Sequence, residues 1–315
     1  MGLFILRRLG VMLLTALCLT FIVLFLPNLY PNLEKLDKTQ GNFRMSEEQV
    51  DTWLSARGYT DNTFVKYGRW LGVAPGWTGT TTEGKEIAQC YSEDTPEADR
   101  PTYCGVLQGD WGFSLVFKDE VASVVGVRLA ATGKLMGFVL LVMVPMALIV
   151  GVLAGMREGS GLDRSLSTFS IATTATPEYV SGVVFIALLA SSKFGLSPVL
   201  AEAGWIDGRT LFSGSATKAV EDATFANFTL PVLTIALYGM GYIARMTRAS
   251  MTEVMTAQYI RTARLKGVSF GNIVMKHALR NALIAPFTVI MLQIPWLLNG
   301  VVIVETLFNY KGFGW

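Results

Sequence analysis

The chain has 315 residues, of which 51% are hydrophobic and 16% charged, with a formal net charge of +2. An ordinary soluble domain carries about 25% charged residues, so the composition excludes an average soluble protein and points to the membrane. The small net charge gives no support for nucleic-acid binding, and what matters is where the basic residues fall.

Five segments are apolar enough to span a bilayer, which takes about 20 predominantly apolar residues. They are 9–29, 135–156, 166–192, 225–244 and 281–304. Backbone polar groups in lipid must be satisfied within a segment or in a closed barrel, so runs of this length predict helices. The expected fold class is all-α, a polytopic transmembrane helix bundle. The first segment follows Arg7 and Arg8 as a secretory signal would. Its apolar run exceeds the roughly 7–15 residues of a signal core, and no small-residue cleavage site follows Pro27, so a retained helix is expected.

Residues 31–127 separate the first two spans. Ser46-Glu47-Glu48-Gln49 has the pattern of a capping box, and Val50, Trp53 and Leu54 then recur at helical spacing until Arg57-Gly58. Phe64, Tyr67, Trp70 and Leu71 predict a second short helix whose apolar stripe is a packing face. From 72 to 105 the composition shifts to Gly, Thr, Pro and acidic residues, which predicts an irregular excursion. Cys90 and Cys104 both fall there, whereas Cys18 lies in the first span. A bridge between them would be worth roughly 3 kcal/mol in an oxidising compartment; the alternative is two unpaired small hydrophobes.

Gly79-Thr80-Thr81-Thr82-Glu83-Gly84-Lys85 has the spacing of a phosphate-binding loop. Glu86 stands where Ser or Thr must ligate magnesium, and no strand before it or helix after it is expected. Gly133-Lys134 fails too, with Arg128 five positions before the glycine. His277 is the sole histidine, so neither a histidine metal cluster nor a histidine triad can be built. The expectation is no enzyme activity, no metal site and no cofactor bound directly.

Arg7 and Arg8, then Arg157 and Arg164, then the basic residues of 245–280 all lie on one side if the five helices alternate. The positive-inside rule makes that side the cytoplasm, with the N-terminus there and the long segment after the first helix outside. Within the spans Glu178, following Pro177, falls about halfway along the third. An ionised carboxylate near mid-bilayer costs about 2.5–3.5 kcal/mol on insertion scales. It therefore lines a water-filled translocation path, or is satisfied by Thr173, Thr174 or Tyr179.

The stretch 245–280 is basic between two apolar spans, and its core reads Gln258-Tyr259-Ile260-Arg261-Thr262-Ala263-Arg264-Leu265-Lys266-Gly267. Residues 251–263 favour helix, Gly267 permits a turn that residues with a Cβ resist, and 268–279 resumes a helical pattern. Such a knob can pass force between a soluble motor and the bundle. The other physical reading is a loop anchored to anionic lipid.

This loop, with His277-Ala278-Leu279-Arg280-Asn281-Ala282, resembles the permease subunits of dipeptide, oligopeptide and nickel importers of the ATP-binding cassette class, specifically the first permease of the pair. Gly109-Asp110-Trp111-Gly112-Phe113-Ser114, Arg128-Leu129, the 159–164 stretch and Glu305-Thr306-Leu307-Phe308 fall in the family's order. The resemblance implies a type I importer permease in a bacterial inner membrane. It implies a second homologous permease, two ATPase subunits that hold ATP and Mg, an extracytoplasmic substrate-binding protein and surrounding lipid. The residues it assigns to ATPase coupling are Tyr259, Arg261, Thr262, Ala263, Arg264, Lys266, Gly267, His277 and Arg280. Where the wider superfamily has Glu-Ala-Ala this chain has Arg261-Thr262-Ala263, a basic version common in the subfamily, so acidic partner groups are expected. The 72–105 excursion departs from the family as an insertion, and the family pattern implies a sixth helix beyond Trp315. The alternative is a secondary transporter driven by an ion gradient, toward which only Glu178 and the prolines Pro177, Pro231 and Pro295 lean. A third is a lipid-anchored scaffold. Peptide, metal chelate and small glycoside all remain open as substrate.

Overall fold

The computed structural model describes residues 1–29, 47–80, 85–91, 95–114, 116–206 and 208–315. The chain divides into two units, Met1–Val124 and Val125–Trp315.

In the first unit, α1 (Gly2–Phe25) is apolar along its length and buries none of its residues within the chain. A largely apolar helix with no buried residue is what lipid accommodates. α2 (Glu47–Ala56) buries Val50 and Leu54, and its Trp53 stacks on Tyr59 at 6.1 Å. The capping pattern at Ser46 lies outside the described residues. α3 (Thr63–Leu71) starts where the Asn62 side chain accepts from the Phe64 N–H at 2.9 Å, and it stops at Gly72, φ 88°. That left-handed conformation carries no Cβ penalty in glycine. The apolar stripe of α3 meets α1: Phe21 lies 5.3 Å from both Phe64 and Tyr67, and the Tyr67 hydroxyl donates to Leu17 O at 3.0 Å.

The excursion after α3 is more regular than its composition predicts. β1 (Thr78–Thr80) and β2 (Glu86–Ala88) pair antiparallel, with Gly79 opposite Ile87. A strand therefore does enter the phosphate-loop-like stretch, but a second strand leaves it where a nucleotide site needs a helix. Residues 81–84 lie outside the described set. Beyond the hairpin Cys90 and Cys104 are joined by a disulfide, Cα–Cα 5.4 Å, and Arg100 lies 3.3 Å from Glu86. Replacing both cysteines by serine is expected to cost this unit about 3 kcal/mol. Alkylation with and without reductant checks the bridge, since equal labelling of both thiols would rule it out. A second pair, β3 (Phe113–Ser114) with β4 (Asp119–Glu120), precedes the long helix.

α4 (Val121–Gly155) begins well before the expected start at 135. Arg128 and Lys134 lower the local hydropathy without disfavouring helix, so hydropathy locates the apolar part of the helix and not its end. The expected span 166–192 is instead α5 (Gly161–Ala175) and α6 (Glu178–Phe185), bent by 101°, with α6 running on as a π turn over Ile186–Ala190. Pro177 supplies no N–H, and Thr176 before it is extended at ψ 117°, so the helix cannot run through. Glu178 is thus the first residue of a new helix and not the middle of a straight span.

A short α7 (Leu196–Glu202) follows, then α8 (Phe225–Thr256), which passes the expected end at 244. A reciprocal cap starts α8: Asn227 N–H donates to Thr224 Oγ1 at 3.4 Å, and Thr224 N–H to Asn227 Oδ1 at 2.9 Å. The last long helix, α12, spans Ile284–Leu307 in place of the expected 281–304. Leu135, Val139 and Met143 of α4 pack with Leu230, Ile235, Met240 and Ile243 of α8 and Leu297, Val301 and Val304 of α12. Gly151 and Gly155 bring α4 onto α8, since a Cβ at Gly155 would meet Arg248 O at 2.6 Å. After α12 the chain folds back: Phe308 and Tyr310 are fully buried, the Tyr310 hydroxyl donates to Ala131 O at 2.8 Å, and the buried Glu305 carboxylate accepts from Thr132 and Gly314.

Candidate docking site at the basic end of the bundle

Where a single helix over 251–263 is expected, α8 ends at Thr256 and α9 (Gln258–Leu265) begins anew after Ala257, which is extended at φ −63°, ψ 150°. No glycine or proline forces this break. Its effect is burial: Ile260 and Ala263 of α9 reach a second apolar cluster with Met251 and Met255 of α8. Tertiary packing overrides the local helix preference. The expected helix over 268–279 is likewise modified, into α10 (Phe270–Asn272), a π turn over Ile273–Ala278 and α11 (Leu279–Ala282). The π turn places Ile273, Val274 and Ala278 in the same cluster, which Val152 of α4 and Met156 just after it also border.

Gly267 closes α9. At φ 75° it lets Gly267 N–H reach Arg264 O at 3.0 Å and Val268 N–H reach Ala263 O at 3.2 Å, the paired bonds of a Schellman cap. Val268 then packs on the cluster, so the turn is pinned on both sides. Burial sorts the residues assigned to this site. Ala263 faces inward, whereas Tyr259, Arg261, Thr262, Arg264, Lys266, Gly267, His277 and Arg280 are exposed. Tyr259 and the far side of the loop are tied by Asn281 Nδ2 donating to the Tyr259 hydroxyl at 2.9 Å. Leu265 stays 83% exposed among these charges.

A polar joint near this knob involves residues outside the expected site. Asp163, in the first turn of α5, takes Arg248 Nε on one oxygen at 2.5 Å and Arg248 Nη2 on the other at 2.8 Å. Gly159 N–H at 2.8 Å and the Ser167 hydroxyl at 3.1 Å complete its acceptor set, while Ser160 caps the helix. Such two-pronged, charge-assisted contacts fix orientation as well as contributing energy. The Ser160-Gly161-Leu162-Asp163 spacing is a capping signal that marks the helix start. Nothing local marks Arg248 as its partner.

Glu178 and Pro177 lie away from the knob, at the 101° bend. Thr173 and Thr174 do not satisfy the carboxylate, because both hydroxyls donate to Ser170 O, at 3.1 and 2.8 Å.

An apolar helix bundle carrying a basic knob seated on its own small core defines a multi-pass membrane protein. Residues 147–315 match the family described as binding-protein-dependent transport system inner membrane component, and the chain belongs to that family. It is 34% identical over 217 residues to the dipeptide transport system permease protein DppB of Haemophilus influenzae, covering 66% of this chain and 65% of that one. The Escherichia coli K12 protein of the same name is 33% identical, over 67% of this chain and 65% of the relative. The glutathione transport system permease protein GsiC of the same strain is 30% identical over 69% and 66%. The matches thus span just under two thirds of these relatives' length. A solved amino acid ABC transporter with histidines shows TM-score 0.41 at 15% identity, over 61% of this chain and 75% of that one, too distant to carry an argument.

Proposed function

We propose that this chain is the transmembrane permease subunit of an ATP-driven, binding-protein-dependent importer for peptides or a related small solute, and that it forms the translocation path with a second homologous permease. The observation that carries the reading is α9, whose apolar side is locked to the bundle while Arg261, Arg264 and Lys266 stand outward. In this reading the basic face meets acidic groups on two ATPase subunits, which hold the ATP and Mg that this chain does not bind. The basic end and the N-terminus lie in the cytoplasm by the positive-inside rule. Solute arrives from an extracytoplasmic binding protein, and α1 faces lipid. The names of the relatives, two dipeptide permeases and a glutathione permease, support a peptide-like solute.

The mechanism follows from what α9 touches. Closure of the motor displaces α9; because Ile260 and Ala263 share one core with α8, α11 and the end of α4, the displacement reaches those helices as a body. The Asp163–Arg248 pair then carries it into α5 and so to the bend at Pro177. Reversing charge with Arg261→Glu and Arg264→Glu together is expected to reduce co-elution of the ATPase with the tagged chain at least about tenfold, as buried or focused charge pairs at interfaces do. Unchanged co-elution after that double reversal would count against docking through α9.

A further inference from the structure

The bend leaves a carboxylate without a partner. Among the described residues Glu178 forms no hydrogen bond or ion pair, and it is half-buried. Its neighbour is Gly300 of α12: a Cβ there would lie 3.2 Å from Glu178 Oε1 and 3.6 Å from Trp296 Cη2. Carboxylate and indole therefore flank the same point, which the missing side chain of Gly300 keeps open. Trp296 in turn stacks on Tyr238 of α8, ring centroids 4.7 Å apart. A half-buried carboxylate in an apolar bundle requires water or a counter-charge, and among the described residues no cation pairs with it. A carboxylate beside an aromatic pair matches the needs of an ammonium ion, which donates charge-assisted hydrogen bonds to the carboxylate and is attracted to the face of a ring.

We infer that Glu178, with Trp296 and Tyr238, forms a transient seat for the ammonium group of the transported solute. The inference rests on the permease reading and adds to it a recognition element inside the membrane, at the hinge that the coupling chain moves. Its place at the break between α5 and α6 means that a change in the bend moves the carboxylate relative to Trp296, so binding and release can follow the motor.

The assembled importer, reconstituted in vesicles with its binding protein and ATP, tests this with two probes, alanyl-alanine and N-acetyl-alanyl-alanine. The ratio of their uptake rates is internal to each preparation, so differences in yield cancel. The expected result is a preference for the free ammonium form that falls roughly tenfold in Glu178→Gln and is largely kept in Glu178→Asp. Trp296→Leu reads the same seat independently and is expected to lower the ratio about threefold. An unchanged ratio in Glu178→Gln, or in Trp296→Leu where the first variant does not assemble, overturns the seat and leaves the permease reading standing. A wild-type complex that takes up neither probe with ATP sinks the peptide reading of the solute and the seat with it.

Discussion

Replacing Asp163 by alanine is expected to destabilise the Val125–Trp315 unit by about 3 kcal/mol, the low end of the cost of breaking a buried ion pair. The low end applies because the Arg248 side chain keeps 30% exposure while that of Asp163 keeps 3%. The loss has a definite origin. Both prongs of Arg248, the Gly159 N–H and the Ser167 hydroxyl would face a site with no acceptor. Adding Arg248→Met should recover part of the loss, since the orphaned charge is then gone, and a double-mutant cycle measures the coupling. Thermal unfolding of the purified chain reads the effect; a change under about 0.5 kcal/mol in the single variant would mean that the pair orients the helices without stabilising them. A second consequence concerns transport. With α5 no longer clamped to α8, uptake should fall further than ATP hydrolysis.

Gly267→Val is expected to separate hydrolysis from uptake more completely. A Cβ at this position meets nothing within 4 Å, so the substitution does not clash with the core. Its cost is conformational, roughly 1–3 kcal/mol for holding a β-branched residue at a φ of 75°. The chain escapes that strain by giving up the cap, which frees Ala263 O and Arg264 O and lets the end of α9 fray. On the proposed docking through α9, a frayed knob still touches the ATPase but no longer pushes as a rigid body. ATPase activity of the assembled complex should persist while ATP-driven uptake is lost, and Gly267→Asn, which tolerates the left-handed region, should retain most of it. Coupled transport at the wild-type rate in the valine variant would remove α9 rigidity from the mechanism.

The prolines show how far a sequence can be read. Pro177 sits at a 101° break, whereas Pro145, Pro231 and Pro295 lie inside helices that continue through them. All four residues carry the same local signal, a missing donor and a ring that crowds the preceding turn. Neighbouring helices decide which freed carbonyls are tolerated. Ala257 makes the opposite point: it gives no local sign of a break, yet the helix stops there because Ile260 and Ala263 find burial only after a change of direction.

By itself the sequence determined the membrane class, the apolar spans, the two short helices after the first span, the basic stretch at 245–280 and the turn at Gly267. These are sums over neighbouring residues: hydropathy, periodicity, and the φ that only glycine takes freely. The tertiary structure alone decided the bend before Glu178, the split between α8 and α9, the close crossing at Gly155 and the Asp163–Arg248 joint, whose members are 85 residues apart. Each depends on a partner brought near by folding, and a single sequence does not reveal which distant residue that partner is.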